Sequence, residues 1–119
     1  KTGEEIELPL EKLSTKKGTS AVYQLRFPKI GRYELVFRMS STLGELAQLP
    51  ISVFLNNTLQ QTVTLNGTEG QTMERVVTLP IRQDGEKYMK LYFGESGIDM
   101  HRMFLRYVGK NDIESIRNE

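Results

Sequence analysis

Few side chains in this sequence could carry out catalysis. The single histidine is His101, and a hydrolytic triad would have to combine it with Asp84, Asp99 or Asp112. No Gly-x-Ser-x-Gly segment is present to hold a nucleophilic serine. Loop carboxylates such as Glu45, Glu95 and Asp99 could cleave a glycosidic bond only if the fold paired them, and no motif in the sequence does so. We therefore predict a protein that is not an enzyme.

The composition excludes several further classes of site. The absence of cysteine rules out disulfides, thiol nucleophiles and thiolate metal sites. Sixteen basic residues against fifteen acidic ones give a net charge of +1, and the basic residues form no stripe of the kind that binds nucleic acid. No apolar run approaches the ~20 residues of a membrane helix. We expect neither nucleic acid nor membrane as a partner.

Alternation of apolar and polar residues dominates the chain. The segment IGRYELVFRMSS shows it best, with Tyr33, Leu35, Phe37 and Met39 on one face and Glu34, Val36 and Arg38 on the other. About eight such segments follow one another at nearly regular spacing, without a helical pattern between them. This predicts an all-β antiparallel sandwich over residues 1–110, because each strand buries only one face. Residues 111–119 are predicted to be a C-terminal tail or linker, and the polar ends suggest a fragment of a longer protein.

Loops and aromatic residues add detail to this sandwich. Residues 40–50 form a predicted loop that is long enough to be a place for function. The dipeptide Asn66-Gly67 is the strongest turn signal, and Asn56-Asn57 is another. The aromatic residues that fit the core are Tyr23, Phe27, Tyr33, Phe37 and Phe93. Three others, Tyr88, Tyr92 and Phe54, lie out of phase with the core and are either exposed or covered by another domain.

The order of these segments resembles the jelly-roll carbohydrate-binding modules of the family-six and family-thirty-five type, which belong to the galactose-binding-like sandwiches. Gly18 and Tyr23 match one family motif; Gly31, Tyr33 and Arg38 match a second. The late motifs correspond to residues 91–93 and 99–102. The likeness covers roughly residues 5 to 108. It implies a non-catalytic module that binds a polysaccharide or oligosaccharide without a cofactor.

The departures from the family pattern concern its binding residues. Ser20 stands where the family commonly has a tryptophan that stacks on the sugar, and Asp99 stands where it has an asparagine. The family often holds a structural calcium ion, which would place ligands at Glu5 and Glu7. His101 stands at the matching aspartate position of the closing motif, and calcium prefers oxygen ligands. The sequence therefore disfavours calcium.

Two functions remain open from the sequence. The first is a carbohydrate-binding accessory domain of a secreted glycoside hydrolase or a related multidomain protein, in an extracellular, periplasmic or cell-surface setting. Its ligand would lie in the loops at one end of the sandwich, with contacts from Ser20, Thr42, Glu45, Glu95 and Asp99. The second is a structural or interaction domain that packs against neighbouring domains of the same chain. Outward apolar residues such as Val36, Phe54 and Met100 would then form its docking face.

Overall fold

A computed structural model describes residues 5–109, which fold into eight strands and no helix. The strands are β1 Glu5–Leu8, β2 Thr19–Phe27, β3 Gly31–Ser40, β4 Gln48–Leu55, β5 Thr58–Asn66, β6 Met73–Ile81, β7 Gly85–Phe93 and β8 Asp99–Gly109. This part of the chain therefore has no helix that could cross a membrane. The predicted tail, residues 111–119, lies outside the described residues.

The strands form two antiparallel sheets that face each other. Sheet A has the order β1-β8-β3-β6, and sheet B has the order β2-β7-β4-β5. This is the strand order of a jelly roll, in which successive strands repeatedly change sheets. The predicted antiparallel β-sandwich is thus confirmed. Among the described strands β1 is an edge strand of sheet A, since it pairs with β8 alone.

The core lies between the two sheets, as the alternation predicts. Tyr33, Leu35, Phe37 and Met39 of β3 are all buried, together with Phe27 and Phe93 from sheet B. Tyr23 packs against this core only partly and donates its hydroxyl hydrogen to the carbonyl oxygen of Pro9 at 2.8 Å. The core assignment of the β3 segment is therefore confirmed.

The connections at one end of the sandwich hold the longer loops. Residues 14–18, 41–47, 67–72 and 94–98 lie there, because β3, β5 and β7 end and β2, β4, β6 and β8 begin at that end. We call it the loop end. The loop predicted over residues 40–50 is shorter than expected, since Ser40 still belongs to β3 and β4 already begins at Gln48.

The strongest turn signal proves misleading. Asn56 and Asn57, with φ of 48° and 69°, form the two-residue hairpin between β4 and β5, which is the backbone of a type I′ turn. Asn66-Gly67 instead begins a crossover from sheet B to sheet A. A Cβ atom at Gly67 would collide with the backbone of Leu43 and Gly44. The glycine is needed here for close approach of two loops and not for a hairpin.

Candidate functional site

The loops predicted to carry the site do meet at the loop end. Thr15 donates its hydroxyl hydrogen to the carbonyl oxygen of Ile98 at 2.6 Å, and the backbone N–H of Lys17 donates to Ser96 Oγ at 2.8 Å. The side chain of Leu43 lies against Gly97, where an added Cβ would come within 2.7 Å of Leu43 Cδ1. Residues 14–18, 41–47 and 94–98 therefore form one continuous surface.

The five predicted contact residues nevertheless spread over that end and beyond it. Thr42 is exposed in the 41–47 connection, and Glu95 forms an ion pair with Lys17 at 3.6 Å. Asp99 is exposed at the start of β8, opposite Ser40. Glu45 lines one cavity and Ser20 lines another. Each of these two cavities holds only one of the five residues, so the predicted contacts share neither cavity.

The cavity that contains Glu45 opens at the loop end between the edge strands β5 and β6. It measures about 410 Å³, with Met39 and Leu65 in its lining and Arg75 of β6 on its rim. Its remaining lining residues are Asn66, Gly67, Thr68, Glu69, Gln71 and Met73. Thr68 fixes this wall, because its Oγ1 accepts from the backbone N–H of Ser41 at 2.9 Å and donates to the carbonyl oxygen of Ser41 at 3.0 Å. The cavity combines an apolar floor with a rim of mixed charge.

The acidic residues considered as calcium ligands are engaged by an arginine. The guanidinium of Arg102 forms ion pairs with Glu5 at 3.0 Å and Glu7 at 2.8 Å. Its hydrogen bonds to Glu7 are the main reason why the pKa of that carboxyl lies below its ordinary value of 4.5. Residues 5–109 also contain no cluster of three or more metal-ligating side chains. Glu5 and Glu7 thus neutralise Arg102 in this structure.

Arg102 also explains an error in the predicted docking face. Its guanidinium carbon lies 4.0 Å from the ring centroid of Phe104 on the outer face of sheet A, and Arg106 approaches the same ring at 6.0 Å. Val36, directly opposite Phe104, is completely buried among these neighbours. Met100 packs against the core. Val36 and Met100 are therefore wrong as members of an exposed docking face, because Val36 is buried beside Phe104 and Met100 packs against the core.

His101 occupies a β-bulge and contacts a serine. Arg102 pairs with Arg38 and Met100 pairs with Met39, so His101 is the extra residue of β8. Its Nε2 lies 2.8 Å from Ser40 Oγ. Within residues 5–109 no carboxylate hydrogen-bonds to His101, and Ser40 is buried. The contact positions the bulge and lacks the third group and the accessible nucleophile of a triad.

The outer face of sheet B differs from that of sheet A, since it carries exposed aromatic side chains. Ser20, Tyr92, Ser52 and Thr62 face one another across all four strands. Tyr92 is 40% exposed, and Ser52 Oγ lies 2.8 Å from Thr62 Oγ1. This row places one aromatic ring among three hydroxyl groups. We call the outer surface of sheet B, with Val22, Tyr88, Lys90 and Phe54 in the adjacent rows, the aromatic face.

The next row of the aromatic face is apolar and cationic. Val22, Lys90 and Phe54 face one another across β2, β7 and β4. The ammonium nitrogen of Lys90 lies 4.6 Å from the ring centroid of Phe54, a cation–π contact. Phe54 is only partly exposed, while Tyr88 is 56% exposed. Tyr88 and Tyr92 are thus exposed on this domain, and their coverage by another domain stays a prediction.

The sequence contained a signal for this face that the predicted contacts did not use. Tyr88, Lys90 and Tyr92 alternate with the buried Met89 and Leu91. Their exposure therefore follows from the strand period. What the sequence could not supply was the register that places Tyr92 beside Ser20, because β2 and β7 are far apart in the chain.

Comparisons with known proteins agree on the fold. No protein-family model matches the sequence. A β-glucosidase from Ruminococcus albus is 26% identical over 104 residues, which cover 87% of this chain but only 11% of that protein. A family 35 carbohydrate-binding module from Clostridium thermocellum matches with a TM-score of 0.65 at 13% identity, over 85% of this chain and 86% of that one.

Two further solved structures show the same sandwich. The C-terminal family 6 carbohydrate-binding module of a marine laminarinase from Zobellia galactanivorans has a TM-score of 0.65 at 15% identity, covering 87% of this chain and 91% of that one. A β-glucosidase from Paenibacillus barengoltzii matches with a TM-score of 0.60 at 18% identity, over 84% of this chain and 12% of that enzyme. The chain thus has the jelly-roll fold of carbohydrate-binding modules, as its resemblance to them implies.

Proposed function

We propose that this chain is a non-catalytic carbohydrate-binding module and that its ligand lies on the aromatic face around Tyr92. The observation that carries the proposal is the row in which Tyr92 is flanked by the hydroxyls of Ser20, Ser52 and Thr62. An exposed tyrosine ring can stack on the C–H face of a sugar ring. Hydroxyl groups beside it can both donate to and accept from sugar hydroxyls.

This arrangement also accounts for the missing tryptophan. Ser20 stands where the resemblance implies the stacking residue, and Tyr92 lies directly opposite Ser20 on the neighbouring strand. The aromatic surface is therefore present next to the expected position, on β7 instead of β2. The modules with the same fold, and the β-glucosidases that contain a similar segment, support the same function. The chain would serve as an accessory domain of a secreted glycoside hydrolase.

Affinity electrophoresis on soluble plant and microbial polysaccharides, with pull-down on insoluble ones, tests the proposal. Tyr92→Ala should weaken binding by about tenfold or more, because it removes the stacking surface. Val76→Ala, an exposed apolar residue on the outer face of sheet A, is the matched control and should leave binding unchanged.

Two variants at the loop end test whether the ligand binds there instead of on the aromatic face. Glu45→Ala alters the loop-end cavity, and Asp99→Ala alters the start of β8. Both should bind like the wild-type protein. Loss of binding in these variants with retention in Tyr92→Ala would move the site to the loop end.

A second function, docking of a neighbouring domain, is favoured by one observation on the same face. Val22 and Leu59 are 60% and 53% exposed there, in the row that contains Lys90 and Phe54. Exposed apolar residues that lie together often mark a protein interface. The binding assay distinguishes the two functions, since a docking domain would bind none of the polysaccharides.

A further inference from the structure

Lys90 is a cation at the centre of the aromatic face. It lies on β7, which is an inner strand of sheet B, between Tyr88 and Tyr92 on the same side of the strand. Its cross-strand neighbours are Val22 on β2 and Phe54 on β4. The contact with the Phe54 ring at 4.6 Å holds the ammonium group close to the sheet.

Within the described part of the chain, no carboxylate forms an ion pair with this lysine. The ion pairs found among residues 5–109 involve Lys17, Arg32, Arg38, Arg102 and Arg106, and not Lys90. The residues beside Lys90 and diagonally across from it are all uncharged: Ser20, Val22, Gln24, Ser52, Phe54, Tyr88 and Tyr92.

On β7, the strand that carries Lys90, the carboxylate that faces the aromatic face is Glu86. It has partners of its own. It lies opposite Arg26 and accepts a hydrogen bond from Gln24 Nε2 at 2.9 Å. Glu86 is four residues from Lys90, which corresponds to about 13 Å along a strand. The charge of Lys90 is therefore available to a ligand.

We infer that the ligand of the aromatic face is an acidic polysaccharide, whose carboxylate or sulfate group is bound by Lys90 while its sugar rings contact Tyr88 and Tyr92. This inference rests on the proposed function and adds the class of saccharide. The two tyrosines are also about 13 Å apart along β7, so sugars on either side of the charged one can reach a ring. An ammonium group beside an aromatic surface suits a ligand with an anionic group on a sugar chain.

Matched pairs of polymers test the charge requirement. Polygalacturonate is compared with its methyl-esterified form, carboxymethylcellulose with hydroxyethylcellulose, and dextran sulfate with dextran. The wild-type chain should bind the acidic member of at least one pair about tenfold more tightly than the neutral member. The first two pairs test carboxylate and the third tests sulfate, so the pattern identifies the anionic group.

Three lysine variants show whether the preference comes from Lys90. Lys90→Gln should reduce binding to the acidic polymer by about tenfold and leave binding to the neutral polymer unchanged, whereas Lys90→Arg should keep the preference. Lys29→Gln removes an exposed lysine from the connection between β2 and β3, where its ammonium group lies over the Tyr107 ring, and should have no effect. Circular dichroism and thermal unfolding check that each variant is folded.

The possible outcomes separate the inference from the proposed function. Equal binding to both members of every pair, with loss in Tyr92→Ala, would overturn the acidic ligand and leave the carbohydrate-binding function intact. An equal loss of binding in Lys29→Gln and Lys90→Gln would show that the polymer is attracted to the charge of the whole protein, and would also overturn the inference. No binding to any polymer would overturn both, and would direct attention to an acidic protein segment as the partner of this face.

Discussion

Arg102 contacts three side chains on the outer face of sheet A. Its guanidinium binds the carboxylates of Glu5 and Glu7 and lies over the ring of Phe104. Those carboxylates also raise the pKa of the arginine above its ordinary value, chiefly through the hydrogen bonds that Arg102 donates to Glu7. The apolar surface formed by Phe104 and Val36 is consequently covered without a second domain.

Replacing Arg102 should change the acid titration of Glu7. In the wild-type protein the pKa of Glu7 lies below 4.5 because of its hydrogen bonds to Arg102. The folded state then binds this proton less readily than the unfolded state, so the pair stabilises the fold above about pH 4.5. That contribution is lost as the pH falls through the lowered pKa. In Arg102→Gln the pKa of Glu7 should rise towards 4.5, as measured by NMR titration of its carboxyl carbon.

Lys17→Gln provides the control for this titration. It breaks the ion pair between Lys17 and Glu95 at the loop end, which involves neither Glu7 nor Arg102. The pKa of Glu7 should remain low in that variant. A low pKa that persists in Arg102→Gln would show that another group holds Glu7 ionised.

The burial and the neighbours of individual side chains were the properties that the sequence predicted least well. The alternation correctly placed Val36 on the outer side of β3, but not its burial, because its cross-strand neighbour Phe104 comes from the distant strand β8. Glu45 lies in a loop as predicted, whereas Ser20 and Asp99, which were expected in loops, already belong to β2 and β8. Whether any of the five predicted residues contacts a ligand stays a prediction.

At the scale of elements, the positions of the strands could be predicted from the sequence. The packing of the connections between them could be predicted only in part. Alternation and turn residues define a strand locally. The role of Gly67 depends instead on a contact with residues 43 and 44, which no local pattern reveals. The backbone N–H of Gly67 donates to the carbonyl oxygen of Ala47 at 3.3 Å, and that of Glu69 donates to Leu43 at 3.0 Å. Two loops of the loop end are thus tied together through backbone bonds.

Gly67→Ala should destabilise the protein by about 1–3 kcal/mol, because its Cβ would overlap the backbone of Leu43 and Gly44. Gly44→Ala is the matched control, since nothing lies within 4 Å of a Cβ there and its backbone needs no glycine. Urea unfolding measures both free energies. Similar values for the two variants would mean that the loops separate easily. Polysaccharide binding by Gly67→Ala would remain if the ligand lies on the aromatic face.

At the scale of the whole molecule, both sheets depend on one shared core. Phe37 is completely buried on β3, the inner strand that pairs with both β6 and β8. Much of the division of residues between this core and the surface could be predicted from the sequence, since buried and less buried residues alternate along β4, β6 and β7. The pairing order of the strands could not be derived from the strand pattern alone, because β2 ends at Phe27 and its partner β7 begins only at Gly85.

Phe37→Ala should lower the free energy of unfolding by about 3–5 kcal/mol, because it leaves a cavity between the sheets. Leu46→Ala serves as the control, since Leu46 is 95% exposed and should change stability by no more than about 0.5 kcal/mol. Chemical denaturation followed by fluorescence or circular dichroism measures both. A loss below about 1 kcal/mol for Phe37→Ala would contradict its place in the core.

The pairing of β1 with β8 has a mechanical consequence. Glu5 lies opposite Arg106, so residues 5 and 109 leave the sandwich at the same end and on neighbouring strands. A tension applied to these two points acts across the β1–β8 ladder, and its hydrogen bonds would break one after another, starting at the pair Glu5–Arg106. Strands sheared along their length must instead break many bonds together. The sandwich should therefore yield at low force when it is stretched from these two residues, beginning with the release of β1.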